Sequence, residues 1–235
     1  MASSSVRFLP LSLVGALALG GAFALGQSTP ASQPARPDAG SALAKVPVDL
    51  SWLHEFVGPY SGKDIKWDPR FQALITSSLH QRQSIWRDHV KLLSLPDLVQ
   101  VFIGTPGSVL VDEDRFYTIE GCVPHDCMDK GMVWIDSTST TKLAVIFVAM
   151  SSVNTAMGEL GDPIHLWLFS STALNWQKLP PNFLLRVNQW WLETQSYSKS
   201  DFDEELALVT IVQPDGETVD LTPALLASLK AGGTK

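Results

Sequence analysis

The apolar positions at the start of the folded region have the spacing of a helix. Between Phe71 and Arg82 they recur at steps of three and four residues, which is typical of one helix face. Asp68 and Pro69 precede this segment as an N-cap residue and a first-turn proline. We expect a second short helix over Ser84 to Leu93 that ends before Pro96. The first part of the folded region is therefore predicted to be helical.

From Ser108 onward the period of the apolar positions changes to two, or the apolar runs become short and continuous, as in strands. The predicted strands are Val109 to Val111, Phe116 to Ile119, Met132 to Ile135, Leu143 to Val148 and Ile164 to Phe169. Short polar turns join the first four, so neighbouring strands are expected to pair antiparallel. The predicted fold class is α+β: an antiparallel sheet of about five strands with helices packed on one face.

The end of the chain carries weaker patterns. Leu206 to Val212 is strand-like, and Pro214 to Gly216 is a turn signal, so we expect a further hairpin there. A short helix is predicted over Pro223 to Leu229. His165 lies in an apolar strand and is expected to be a hydrogen-bonded sheet residue. Trp190 and Trp191 are expected either in the core or, if exposed, at a subunit contact.

The first 26 residues have the composition of a secretory signal peptide. Arg7 is their only charge, and an apolar run from Phe8 to Leu25 ends among small residues. An uncleaved leader is the alternative, because this run is about as long as the shortest membrane spans. Residues 27–48 have almost no large apolar side chains and are predicted to be a flexible linker. A folded domain is assigned to 49–191 and a C-terminal extension to 192–235.

The charge and the cysteine count exclude several classes of protein. The 235-residue chain has 17 Lys and Arg against 24 Asp and Glu, a net charge of −7, which argues against binding to nucleic acid. Without residues 1–26, 16 basic and 24 acidic side chains remain, a charge near −8. Two cysteines cannot build a disulfide-rich scaffold or a four-thiolate zinc site. We expect no cofactor and no metal, since there is no Gly-rich phosphate loop and no His-Glu-x-x-His motif.

The segment Gly121-Cys-Val-Pro-His-Asp-Cys127 lies between two predicted strands. Its cysteines, with four residues between them, can close a small ring if oxidised, which an exported destination permits. Pro124 fixes one backbone angle inside such a ring. Gly121 is expected either to supply a backbone angle closed to other residues or to be an ordinary strand-end glycine. The result would be a stiff loop carrying His125 and Asp126, and a stiff loop loses little entropy on entering a pocket.

Taken alone, these residues leave three interpretations open. A catalytic dithiol is one, although its usual spacing is Cys-x-x-Cys. A metal site built from Cys122, His125 and Cys127 is the second, although ligands this close together would strain to surround a tetrahedral ion. In the third, a disulfide merely staples a turn, and His125 is an exposed bystander.

A family resemblance adds to this reading. The stretch from Phe71 to Phe147, centred on Cys122-Val-Pro-His-Asp-Cys127, resembles the inhibitor of vertebrate lysozyme family, periplasmic proteins of Gram-negative bacteria. In that family a disulfide-closed Cys-Lys-Pro-His-Asp-Cys loop projects from a sheet and blocks the lysozyme active-site cleft. Leu95-Pro96 before the loop fits the family pattern, as do the apolar segments Gly131 to Ile135 and Leu143 to Phe147 after it.

The resemblance implies a periplasmic, non-enzymatic inhibitor with a Cys122–Cys127 disulfide on a protruding loop. The implied inhibitory loop consists of Cys122, Val123, Pro124, His125, Asp126 and Cys127. The implied partner is lysozyme or a related peptidoglycan-cleaving glycosidase, and dimers occur in the family. The alternatives are a regulator of the cell's own lytic transglycosylases and a periplasmic binding or structural module on the same scaffold.

His125 and Asp126 are the two polar residues of the loop, and each has its own expected role. Val123 stands where the family usually has Lys, so His125 is the only residue of the ring that can carry a positive charge. An imidazole suits a cleft with two carboxyl groups, because its protonated form donates hydrogen bonds from both nitrogens. Asp126 is expected to accept hydrogen bonds from the backbone amides of the ring, with a basic residue on the partner as the alternative.

Overall fold

A computed structural model of the chain describes residues 49–59, 65–88, 91–138, 144–152, 163–197 and 206–221. The predicted signal peptide, the predicted linker and the predicted helix over Pro223 to Leu229 lie outside these ranges. Within the described residues, no helix is both long enough and apolar enough to cross a membrane.

The described residues form three α-helices and nine strands. The helices are α1 (Pro69–Ser78), α2 (Leu95–Phe102) and α3 (Pro181–Tyr197). The strands are β1 (Arg87–Asp88), β2 (Lys91–Leu92), β3 (Thr105–Asp112), β4 (Phe116–Val123), β5 (Asp126–Asp136), β6 (Ala144–Ser152), β7 (Ile164–Ser170), β8 (Leu206–Val212) and β9 (Thr218–Asp220). Short 3-10 helices cover Ser51–Phe56, Ile65–Trp67 and Trp176–Lys178.

Seven of the strands form one sheet in the order β3-β4-β5-β6-β7-β8-β9. The α+β class is confirmed, whereas the expected number of about five strands is too low. Neighbours pair antiparallel except β7 and β8, which are parallel. A parallel pair needs a long crossover, and α3 provides it between these two strands. The predicted boundary after residue 191 falls inside α3, and β8 and β9 belong to the same sheet.

The predicted start of α1 is confirmed, whereas the helix predicted over Ser84 to Leu93 is wrong. The Asp68 carboxylate accepts a hydrogen bond of 2.7 Å from the Arg70 N–H, as an N-cap does. In place of the second helix, β1 and β2 pair as a small hairpin. The buried side-chain amide of Gln83 forms hydrogen bonds with the backbone of this hairpin. Its oxygen accepts from two N–H groups, and its nitrogen donates to the carbonyl oxygen of Leu93. The next helix, α2, begins one residue before Pro96.

Helices cover both faces of the sheet, so the expectation of one covered face is wrong. One face packs against α1 and α2, and its cluster includes Phe71, Phe102 and Phe147. The other face packs against α3, whose Trp190 and Trp191 are each 4% exposed. This tryptophan pair is therefore part of the core and is not a subunit contact.

The C-terminal end of α2 lies directly on the sheet at two glycines. Gly121 and Gly131 are cross-strand partners on β4 and β5. A Cβ atom added at Gly121 would lie 2.7 Å from the Cα of Ile103, and one at Gly131 would lie 2.7 Å from the Cβ of Phe102. Gly121 is not among the residues with a positive φ, so close approach, and not a special backbone angle, requires glycine there.

A buried ion pair joins α3 to the sheet. The Arg186 guanidinium donates to the Glu120 carboxylate on β4, and the two side chains are 9% and 12% exposed. Burial raises the pKa of Glu120, and the positive charge of Arg186 opposes this shift. Each charge is costly to bury without the other, so the pair favours one position of α3 on the sheet.

We expect Arg186→Met to lower the free energy of unfolding by about 3–5 kcal/mol, because it leaves the Glu120 carboxylate buried without this partner. The control is Arg115→Met. Arg115 is 41% exposed and makes two hydrogen bonds of 2.8 Å to Asp136, so its loss should cost about 1 kcal/mol or less. Urea unfolding of both variants measures the difference. Equal losses of unfolding free energy in the two variants would contradict the conclusion that burial increases the contribution of the Arg186–Glu120 pair.

Candidate functional site

The site is the two-residue turn between β4 and β5. Val123 pairs with Asp126 across this turn, leaving Pro124 and His125 at its tip. The φ of His125 is 67°, in the left-handed region that non-glycine residues rarely adopt. Proline followed by a residue of positive φ is the pattern of a type II turn. Residues 124–127 are exposed, so the imidazole is presented to the surroundings of the protein.

A disulfide closes the base of this turn. Cys122 and Cys127 are bonded, with their Cα atoms 4.9 Å apart, as the family resemblance implied. Cys122 pairs with Lys130 in the strand register, so residues 127–129 have no partner on β4 and form a bulge. The disulfide spans this irregularity and restrains it. With both sulfurs in a disulfide there is no thiolate to bind a metal, so the zinc interpretation does not fit this state.

Val123 points into the core. Its side chain is 8% exposed and belongs to the apolar cluster beneath α1 and α2. The surface of the loop therefore consists of Pro124, His125, Asp126 and Cys127. Val123 is therefore an apolar anchor at the base of the loop.

The end of α2 supports the loop from beneath. A Cβ atom added at Gly104 would lie 2.6 Å from the Cδ of Pro124 and 2.8 Å from the carbonyl oxygen of Val101. The proline ring thus rests directly on the backbone that follows α2. Together with the buried Val123 and the disulfide, this contact gives the turn three restraints on its shape.

Asp126 and Asp129 differ in their burial and in their hydrogen bonds. Among the described residues, Asp126 accepts no hydrogen bond from the amides of the ring, so the expected self-bonding role is not supported. Asp129, in the bulge, is 9% exposed and accepts a hydrogen bond from the Ser152 N–H. Burial and, to a smaller extent, the nearby charge of Asp126 together raise the pKa of Asp129 to about 7. Sequence analysis missed Asp129, because an acid after a cysteine carries no pattern that signals burial.

His165 is a sheet residue with satisfied hydrogen bonds, as expected. Its Nε2 atom lies 2.9 Å from the Thr210 hydroxyl oxygen, and that hydroxyl donates to the Asp220 carboxylate over 2.6 Å. Since the threonine proton is committed to Asp220, the Nε2 atom must be the donor to Thr210. Burial lowers the pKa of His165, which favours the neutral ring. This histidine connects β7 through Thr210 on β8 to Asp220 on β9.

Other candidate sites are few. In the described part of the chain, no group of three or more His, Cys, Asp or Glu residues is arranged to hold a metal ion. Comparison with known protein families, with curated proteins and with solved structures gives no match to this chain. The candidate site therefore rests on the geometry of the Cys122–Cys127 loop.

Asp129→Asn should change how stability depends on pH. The pKa of Asp129 is raised from 3.8 to about 7, so between these values the folded protein keeps a proton that the unfolded chain has released. The contribution of Asp129 to the free energy of unfolding of the parent should therefore fall as the pH rises from 4 to 7. The variant lacks this contribution, so its advantage over the parent should grow across the same interval.

The measurement is urea unfolding at several pH values. Asp112→Asn, at an exposed acid on β3, is the matched control and should follow the parent curve. Parallel curves for the parent and Asp129→Asn would contradict a buried, protonated Asp129.

Proposed function

We propose that this chain is an exported, non-enzymatic inhibitor of lysozyme that belongs with the inhibitor of vertebrate lysozyme family. The loop Cys122–Cys127 enters the active-site cleft of the muramidase and places His125 at its catalytic carboxyl groups. The observation that carries this proposal is the exposed imidazole at the tip of a turn that is closed by a disulfide and supported by α2.

The chemistry of the target explains why a histidine suits this role. Lysozymes use two of their own carboxyl groups, one protonated and one ionised, to cleave the bond between two sugars. They are the standard example of this mechanism. A group that enters between them must donate hydrogen bonds without adding negative charge. The imidazolium ring is narrow, donates from both nitrogens, and is favoured by the neighbouring carboxylate. Charge-assisted bonds of this kind are stronger than neutral ones.

The rigidity of the loop favours tight binding. The left-handed backbone of His125 is held by the strand pairing of Val123 and Asp126, by the disulfide, and by the packing of Pro124 on Gly104. A loop already in its bound shape loses little conformational entropy on binding. A short turn of this kind can enter a groove too narrow for a helix or for a whole strand pair.

The charge of the whole chain supports the same partner. The net charge is −7, and animal lysozymes are strongly basic. Opposite net charges increase the rate of encounter, and added salt reduces this effect. The acidic surface therefore contributes to association, while the loop provides the specific contact.

His125→Ala should weaken inhibition of a chicken-type lysozyme at least roughly tenfold, equivalent to about 1.4 kcal/mol. The reason is that it removes both hydrogen-bond donors at the tip of the loop and leaves the turn closed. The measurement is the inhibition constant from the rate of cell-wall lysis. His80→Ala, which removes an exposed imidazole after α1, is the matched control and should inhibit like the parent.

The same assay separates the proposal from its alternatives. If His125→Ala inhibits as well as the parent, the loop does not act through its imidazole. Binding without any loss of lysozyme turnover would instead favour a periplasmic binding or structural module. Inhibition of a lytic transglycosylase but not of lysozyme would make the cell's own enzymes the target.

Replacement of both cysteines by serine should reduce affinity for lysozyme while the fold persists. Closing a ring this short is worth about 2 kcal/mol of unfolding free energy by the chain-entropy estimate, so the fold should persist. The bulge at residues 127–129 would lose its restraint, and we expect an affinity loss of roughly tenfold. Calorimetric titration and thermal unfolding of the double variant test this. Unchanged affinity would show that the ring is not needed for binding.

A further inference from the structure

An exposed tryptophan lies near the loop on a different element. Trp67 ends the 3-10 helix Ile65–Trp67 and is 68% exposed, the largest exposed fraction among the large apolar side chains of the described residues. Ile65, two residues earlier, is 3% exposed and fixes this helix to the core. The Lys66 Nζ atom lies 5.1 Å from the centroid of the Trp67 ring, which is a cation–π contact. The indole is therefore held in place although it is open to solvent.

A short chain of contacts connects Trp67 to the loop. The Lys66 ammonium donates a hydrogen bond to the carbonyl oxygen of Gly104. Gly104 is the residue on which the Pro124 ring rests. Lys66 and Pro124 thus both contact Gly104 at the end of α2, and the Trp67 indole contacts Lys66.

The size of the loop shows that a partner must touch more than the loop. A stable protein complex of standard size covers about 800 Å² on each partner. The exposed part of the loop is only residues 124–127, and it supplies a fraction of that area. One tryptophan buries about 150–250 Å², and tryptophan is among the residues most enriched at binding hot spots. Trp67, which Lys66 and Gly104 connect to Pro124, is such a residue.

We propose that Trp67 is a second contact of this protein with the glycosidase whose cleft His125 enters, and that it packs against the rim of that cleft. The charge on Lys66 suits the same partner, because a cleft with catalytic carboxyl groups carries negative charge. Lys66, next to Trp67, and Pro124, next to His125, both contact Gly104, so one backbone segment connects the two proposed contact residues. This inference rests on the proposed inhibitory function and adds the apolar part of its interface.

The experiment is calorimetric titration of a chicken-type lysozyme with the parent and four variants: Trp67→Ala, Trp67→Phe, Leu185→Ala and His125→Ala. We expect Trp67→Ala to weaken binding roughly tenfold and Trp67→Phe to recover part of that loss. Leu185 is the matched control, because it is 56% exposed on α3, which packs on the face of the sheet opposite to α1 and α2. Leu185→Ala should bind like the parent. Thermal unfolding of each variant shows that the fold is retained.

Each other outcome overturns the inference in a distinguishable way. Unchanged binding by Trp67→Ala, together with weak binding by His125→Ala, would refute the Trp67 contact and leave the inhibitory function standing. Absence of any binding by the parent would refute the inhibitory function and this contact with it. A fluorescence change on adding soluble chitooligosaccharide to the parent but not to Trp67→Ala would assign Trp67 to glycan binding instead.

Discussion

The contact between the end of α2 and the sheet determines the position of everything at the candidate site. Gly121 and Gly131 form a cross-strand pair without side chains, and Phe102 and Ile103 occupy the space that a Cβ atom would fill. Because the helix end comes this close, the next residue, Gly104, reaches the turn and supports Pro124. A larger residue at either strand position would push α2 outward and remove that support.

This arrangement concentrates unfavourable local features in one place. His125 has a left-handed backbone, which costs a non-glycine residue on the order of 1 kcal/mol or more. Asp129 is buried a few residues further on with a strongly raised pKa. Both lie in the few residues after the point where β4 and β5 lose their regular register. The disulfide and the helix contact compensate for these features, so the loop keeps one shape despite them.

The sequence patterns predicted the central part of the fold, and the failures have physical causes. Strands β3 to β7 were visible as short apolar segments, and the apolar runs of β6 and β7 are continuous because both faces of these strands are buried. The segment before Pro96 looked helical, but the buried Gln83 amide stabilises a hairpin there through backbone bonds that no periodicity reveals. Helix α3 was not predicted, because its apolar residues were considered one by one and not as a periodic segment. Without this helix, neither the parallel pair β7–β8 nor the second covered face of the sheet could be expected.

The candidate site, like the fold, was only partly predictable from the sequence. The spacing of two cysteines and a family resemblance predicted the ring and its exposed histidine. The burial of Val123 and Asp129 was not predicted, because it depends on a bulge that has no sequence signal. The resulting geometry bears on the choice between a plain staple and a binding loop. A turn that served only to connect two strands would be more stable with glycine or asparagine at a φ of 67°. Folding alone therefore does not explain an imidazole at that position, whereas the proposed contact with a pair of carboxyl groups in a partner would explain it.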